Sequence, residues 1–354
     1  MRVIPVILRV VACPLLSALV IFSAATRASA QQSGAQQKPT VIKPDASDKN
    51  AAEQSKLVFR KAWAGHKAPV LPQSKLVVRS ENKQGDSSEG SKDSQNAIRY
   101  PGDLSYHGGA VVEFVESHDI YLLPGGSCSS ASCWGDPEGF LRALGKSEFM
   151  HVTDQYVGEH ASNRYTLGEN FSQSFTVSTT PLIDSDVQAI VHSAAKASGD
   201  AGYGHIYHVF IPPGQDECFD STFTVCASNI FCAYHSSVEF TDVGHLLYSV
   251  EPFTDFPGCA VRPGTPNGTL TDSTNNVLSH ELIEAITDPD GDAWWNSLDN
   301  GLFGEEIGDE CSFLVFTSSG SFLGFDPSII KVQGKQYALQ PEYDNSVHAC
   351  SALQ

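Results

Sequence analysis

The segment Ser279-His280-Glu281-Leu282-Ile283-Glu284 carries one imidazole and two carboxylates at a spacing suited to a metal ion. Folded as a helix, it places His280 and Glu284 one turn apart on the same face, with Glu281 beside them. The order is that of the zinc-binding helix His-Glu-x-x-His, with glutamate in place of the second histidine. Carboxylate oxygen is a competent zinc ligand, so the motif is altered without being disabled. On this reading His280 and Glu284 hold Zn2+, and Glu281 is the general base that takes a proton from a water the ion activates. That is the chemistry of a hydrolase, with a peptide or protein as substrate.

A catalytic zinc needs three protein ligands and one open position. The dense acidic run Gly304-Glu305-Glu306-Ile307-Gly308-Asp309-Glu310-Cys311 is the best source of the third. Glu306 and Asp309 are the candidates, Asp309 placed first because adjacent Gly308 permits an unusual backbone path. The plainer reading is that His280, Glu281 and Glu284 are the solvated face of a polar helix.

Asp288-Pro289-Asp290-Gly291-Asp292 is a separate signal, with oxygen ligands suited to Ca2+ and Asn296 or Asp299 to complete the loop. It departs from the helix-loop-helix calcium consensus, because Ala293 stands where the turn glycine belongs. A solvated turn at a helix end explains the same residues. Trp294 and Trp295 are assigned to the core. His205 and His208 belong to opposite faces of one strand and cannot share a site, while His107, His235 and His245 are supporting or core residues. No Gly-x-Ser-x-Gly elbow accompanies Ser279. Glu281 and Glu284, three apart on one helix, cannot readily flank a sugar bond from opposite faces. Asn170 and Asn267 open glycosylation sequons.

The elements that must position these residues follow from period and punctuation. Strands are expected at 106–112, 119–123, 204–211, 232–240 and 245–250, several of them stopped by Pro-Gly turns. Helices are expected at 137–144, 148–157, 185–197 and 276–287, the last capped by Asp272, Ser273 or Thr274. Strands and helices, then further strands, then one motif-bearing helix is the order of a zincin-like α+β domain, in which a mixed sheet lies over an active-site-type helix and substrate pairs with an edge strand.

Residues 1–30 read as a secretion signal: Arg2 and Arg9, an apolar centre, then Ala28-Ser29-Ala30 before polar Gln31. Residues 31–98 form a polar tract with too little apolar surface to fold alone, a linker or a pro-region. Residues 99–354 are long enough for one domain with its own core. Eight of the nine cysteines lie beyond the signal, an even number that suits disulfides in an exported chain. Cys128 and Cys133 can close a small loop, Cys218, Cys226 and Cys232 form a local cluster, and Cys350 can tie the C-terminus, to Cys311 for instance. A net charge of −19 argues against nucleic acid and anionic membrane as partners. No segment after the signal is long and apolar enough to span a bilayer.

Tyr106-His107-Gly108-Gly109, Ile120-Tyr121-Leu122, Phe231-Cys232-Ala233-Tyr234-His235, His280-Glu281-x-x-Glu284-Ala285-x-Thr287-Asp288-Pro289 and Glu306-Ile307-Gly308-Asp309-Glu310-Cys311 occur in the order that characterises the Exordium-like, phosphate-induced protein family. The chain resembles that family from about Tyr100 onward. The resemblance implies a secreted protein with a cell-wall or other extracellular component as partner; plant members are linked to cell expansion and growth signalling. It implies no defined catalytic activity, so a non-catalytic extracellular protein with a structural metal site stands as the alternative to a zinc metallopeptidase. The long N-terminal tract, and Asp288 where plant members commonly carry asparagine, fit a microbial relative.

Overall fold

The computed structural model describes residues 103–125, 128–158, 164–254, 259–296, 306–311, 314–316, 322–325 and 328–352. The signal (1–30), the polar tract (31–98), Asp299 and Glu305 lie outside the described residues.

Six strands make the central sheet: β1 (Val115–Pro124), β2 (Tyr165–Leu167), β3 (Phe171–Phe175), β4 (His205–Phe210), β5 (Tyr234–Phe240) and β6 (Gly244–Glu251). The order is β2-β1-β4-β6-β5, with β3 pairing β1 on the same side as β2. All pairings are parallel except β5 with β6, so β5 is an antiparallel edge strand. β1, β4 and β6 are buried along nearly their whole length, the condition of strands covered on both faces. The expected mixture of helix and strand, and a mixed sheet, are both present.

The strand period of two divides the core. One face presents Ile120, Leu122, Tyr207, Val209, Leu246, Tyr248 and Val250 to helix Asp184–Ser198 through Val187, Ile190, Val191 and Ala194. The other presents Tyr121, Ile206, Phe210 and Leu247 to helices Pro137–Leu144 and Thr269–Thr287 through Phe140, Leu141, Leu278, Leu282 and Ile283. Helix Thr269–Thr287 is buried almost all round, because the C-terminal hairpin Ser328–Val332 with Lys335–Leu339 packs on its far side.

Four disulfides staple the domain: Cys128–Cys133, Cys218–Cys226, Cys232–Cys259 and Cys311–Cys350. The first and last are the expected pairs, and Cys232 leaves the local cluster for Cys259. No helix among the described residues is long and apolar enough to cross a membrane.

Several expectations need correction. Residues 106–112 form no long strand: only Ser105–Tyr106 pairs, with Trp294–Trp295. The His107 and Gly109 amides instead donate to the Ala293 and Asp292 carbonyls, 2.6 and 2.9 Å away. A Cβ at Gly109 would overlap Asp292, so glycine is required for that approach. The stretch 148–157 is a 3-10 turn, Glu148–Thr153, followed by the single turn Asp154–Val157. The site helix begins at Thr269 rather than at 276, so Asp272 lies within it. There its carboxylate accepts from the backbone N–H and side-chain amide of Asn267, both at 2.8 Å.

Candidate metal centre

His280, Glu281 and Glu284 project from the final two turns of helix Thr269–Thr287, and Glu281 and Glu284 are buried. The solvated-face reading is therefore not what the helix presents. Leu278, Leu282, Ile283 and Ile286 are buried in the core beneath, which fixes the helix and aims the polar stripe at the inner face of β5 and the 306–311 loop. His280 Nε2 lies 3.2 Å from Glu284 Oε2, 3.6 Å from Asp309 Oδ1 and 3.9 Å from Glu281 Oε1. Zinc bonds of 2.0–2.2 Å put two ligands of one tetrahedral ion about 3.4 Å apart. The His280–Glu284 and His280–Asp309 separations bracket that spacing.

A second imidazole joins the group. His235, on edge strand β5, has Nδ1 3.4 Å from Glu281 Oε2 and 3.6 Å from Glu284 Oε2. Its Nε2 lies 3.1 Å from the Asp288 carbonyl and 3.6 Å from Glu306 Oε1. The carbonyl can only accept, so Nε2 carries a proton. The two acidic candidates are thereby sorted: Asp309 approaches His280 and Glu306 approaches His235. Glu284 belongs to both donor sets, His280–Glu281–Glu284 and His235–Glu284–Glu306, each with ligand atoms within 4.8 Å of one another.

The loop is held on that spot from three directions. Glu284 Oε1 accepts the Asp309 backbone N–H at 3.0 Å. Gln340 donates its side-chain amide to the Gly308 carbonyl, and Tyr343 N–H donates to the Ile307 carbonyl at 2.9 Å. Cys311–Cys350 fixes the end of the loop to strand Ala349–Ser351. Gln340 is anchored in turn, its N–H donating to Asn276 Oδ1 at 2.6 Å.

Carboxylates outnumber cations here. Burial alone would raise the Glu284 carboxyl, but His280 foremost, with His235, holds it far below the ordinary range. Burial works against the charged imidazoles, yet the surrounding acids hold His280 and His235 well above the usual histidine value: Glu284 chiefly for His280, Glu306 chiefly for His235. Burial pushes Glu281, Glu306, Asp309, Glu251 and Glu342 upward. Glu281 Oε2, Glu306 Oε1, Glu251 Oε2 and both Glu342 oxygens are buried with no hydrogen-bond partner. Orphaned acceptors at such density call for a cation or for protons, since an unpaired buried acceptor costs about 1–3 kcal/mol.

Behind the site one register row of the sheet is polar: Asp119 on β1, His208 on β4, Ser249 on β6 and His235 on β5. Along it, His208 Nδ1 meets Ser249 Oγ at 2.7 Å, and Ser249 Oγ donates to Glu251 Oε1 at 2.7 Å. Burial drives His208 down to about 3, so this ring stays neutral. His205 points to the opposite face, as the strand period requires. Sequence reasoning placed His235 among supporting residues and had no signal for Gln340, Glu251 or Glu342, whose roles depend on contacts distant in the chain.

Asp288 and Asp290 have protein partners. Asp288 Oδ1 accepts from Ala293 N–H at 2.7 Å. Asp290 accepts the Tyr203 hydroxyl at 2.5 Å and pairs with His245 at 3.1 Å. Trp294 and Trp295 are half-buried: the Trp294 indole N–H donates to the Tyr156 carbonyl at 2.9 Å, and Trp295 stacks on His107 at 3.7 Å. No family model, curated protein or solved structure matches this chain.

Proposed function

We propose that the chain is a secreted, zinc-dependent hydrolase of zincin-like architecture that cleaves peptide bonds. The observation that carries the reading is the approach of Glu284 Oε2 and Asp309 Oδ1 to His280 Nε2, with the buried Glu281 carboxylate beside them. A cradle of this composition fits Zn2+, and a Cβ at Gly308 would intrude on it at His280 and Glu284. The ion would supply Lewis-acid polarisation of the scissile carbonyl and a water acidic enough to react near neutral pH.

The chain's own groups supply the rest. Glu281, its carboxyl raised by burial, takes a proton from the attacking water and later delivers one to the leaving amine. His235, its Nε2–H committed to the Asp288 carbonyl, turns Nδ1 to Glu281 and Glu284 and orients those carboxylates. The outer edge of β5 is unpaired in the described sheet, so an extended peptide can add there as a further strand beside helix Thr269–Thr287. His235, His280, Glu306 and Asp309 are the described site residues that are not fully buried, which puts the entrance on their side.

A second reading has its own observation. Gln340 Nε2 lies 3.2 Å from His280 Nδ1 and also donates to the Gly308 carbonyl. A donor at Nδ1 places the imidazole proton on Nε2, where it bonds Glu284 without a metal, which suits a non-catalytic extracellular protein. A metal on Nε2 requires Nδ1 to carry the proton, and hence requires the Gln340 amide to move.

Zinc content and peptide cleavage by the purified chain, beside His280→Ala and Glu281→Gln, separate the two. The hydrolase reading expects the zinc of this centre, one ion per chain, lost in the first variant, and that zinc kept with cleavage reduced about 10²- to 10⁴-fold in the second. Equal cleavage by Glu281→Gln and the unmodified chain, or no zinc at this site, hands the site to the second reading.

A further inference from the structure

On the opposite face of the sheet a second donor cluster stands apart from the His280 centre: Glu116, His118, Asp200 and His205, whose ligand atoms all lie within 4.8 Å of one another. Glu116 and His118 are two residues apart on β1 and share a face. His205 opens β4 and stands opposite Glu116 in the register. Asp200 follows helix Asp184–Ser198, where Gly199 adopts φ 86° and turns the chain. The Asp200 N–H donates to Ser198 Oγ at 3.1 Å, and its carbonyl accepts the Tyr207 hydroxyl at 2.8 Å, so the backbone carrying this carboxylate is fixed.

The orientation of His118 is the decisive point. It is fully buried, and its Nδ1 lies 3.0 Å from the Glu169 carbonyl. That oxygen can only accept, so Nδ1 carries the proton and the lone pair of the neutral ring is on Nε2. A backbone carbonyl behind one ring nitrogen is the support that metal-binding histidines use to fix tautomer and direction. Its Nε2 faces His205 Nδ1 at 3.0 Å, Glu116 Oε1 at 3.7 Å and Asp200 Oδ2 at 3.9 Å. Ligands of one tetrahedral zinc are about 3.4 Å apart, and the three distances from His118 Nε2 fall within about half an ångström of that spacing.

The surroundings are shaped to the cluster. Tyr207 stacks on the His118 ring at 4.9 Å. A Cβ at Gly168 would overlap both Glu116 and His118, so this wall must be glycine. The Glu116 and Asp200 side chains are 40% and 33% exposed, which leaves a solvent path by which an ion can enter.

We propose that Glu116, His118, Asp200 and His205 form a structural zinc site that clamps the starts of β1 and β4 to the end of helix Asp184–Ser198. Four protein ligands close a tetrahedral shell and leave no open position, which makes the site structural rather than catalytic. Two imidazoles select zinc and its transition-metal neighbours over calcium or magnesium. The inference is independent of the proposed hydrolase.

The test is zinc per chain by plasma mass spectrometry, with unfolding temperature with and without chelator, in a His280→Ala background that removes the other centre. That variant should retain one zinc and lose thermal stability on chelation. Adding His205→Ala, or Glu116→Gln with Asp200→Asn at partly exposed positions, should abolish both the zinc and the chelator response while circular dichroism stays unchanged. A His280→Ala chain without zinc and unresponsive to chelator overturns the proposal. So does zinc that survives both sets of added substitutions.

Discussion

The backbone of Gly308 passes so close to His280 that a Cβ there would overlap the ring at Nδ1 and stand 2.9 Å from Glu284 Oε1. Gly308→Ala must therefore displace either the loop or two metal-ligand candidates carried by the packed site helix. The expected result is loss of zinc from the His280 centre and a stability decrease of about 1–3 kcal/mol, the ordinary cost of overpacking. Gly204→Ala, where a Cβ meets nothing within 4 Å, is the control and should leave zinc content unchanged. A Gly308→Ala chain with full zinc content and unfolding midpoint would show that the loop yields freely.

His235 separates orientation of the base from metal holding. With Nε2 donating to the Asp288 carbonyl and Nδ1 facing Glu281 and Glu284, His235→Gln should keep zinc and substrate affinity while kcat falls about 10- to 100-fold, the usual effect of losing a group that orients the reacting residues. Steady-state kinetics beside a metal assay decide it. Zinc lost together with activity would make His235 a ligand instead.

The Cys311–Cys350 bridge closes a loop of sequence separation 39 and ends the segment that carries Glu306, Gly308 and Asp309. On the chain-entropy account a loop of that length stabilises by about 4 kcal/mol. Cys311→Ser with Cys350→Ser should lower the unfolding free energy by an amount of that order and weaken zinc retention, because the loop end is released. Chemical denaturation with parallel chelator titration reads both. Unaltered zinc retention would mean that the Asp309–Glu284 and Gln340–Gly308 hydrogen bonds hold the loop by themselves.

What could be read from the residues was local. Helix Pro137–Leu144 has the expected limits, and β4 and β6 fall within one residue of theirs, because each carries its period and its stop signals within a few residues. The His280–Glu281–Glu284 stripe needed only helical spacing. The start of the site helix was hidden, since Thr269 and Thr271 to Asn276 are poor helix formers held helical by packing on both sides. Residues 106–112 look like a strand but are organised by bonds to residues 292 and 293. His118 gave no signal at all: its partners lie 2 to 87 positions away, and only the parallel pairing of β1 with β4 brings His205 beside it.

Asp119, next to His118 in the chain but on the other face of β1, supplies a pH test. It is buried beneath the site helix's side of the sheet, with Oδ2 accepting the Tyr121 hydroxyl at 3.0 Å and Oδ1 without a partner. Burial raises its carboxyl to about 8, against an ordinary value of 3.8. Between those values the folded chain holds a proton that the unfolded chain has released. Stability from this group is therefore complete below about pH 4 and declines as pH rises toward 8, by a total on the order of 5 kcal/mol. Asp119→Asn, neutral at every pH and nearly the same shape, should remove that decline: its urea midpoint should match the unmodified chain near pH 4 and exceed it at pH 8. Parallel midpoint-versus-pH curves for the two chains would show instead that Asp119 is ionised in the folded state, with a positive partner that its single tyrosine hydrogen bond does not reveal.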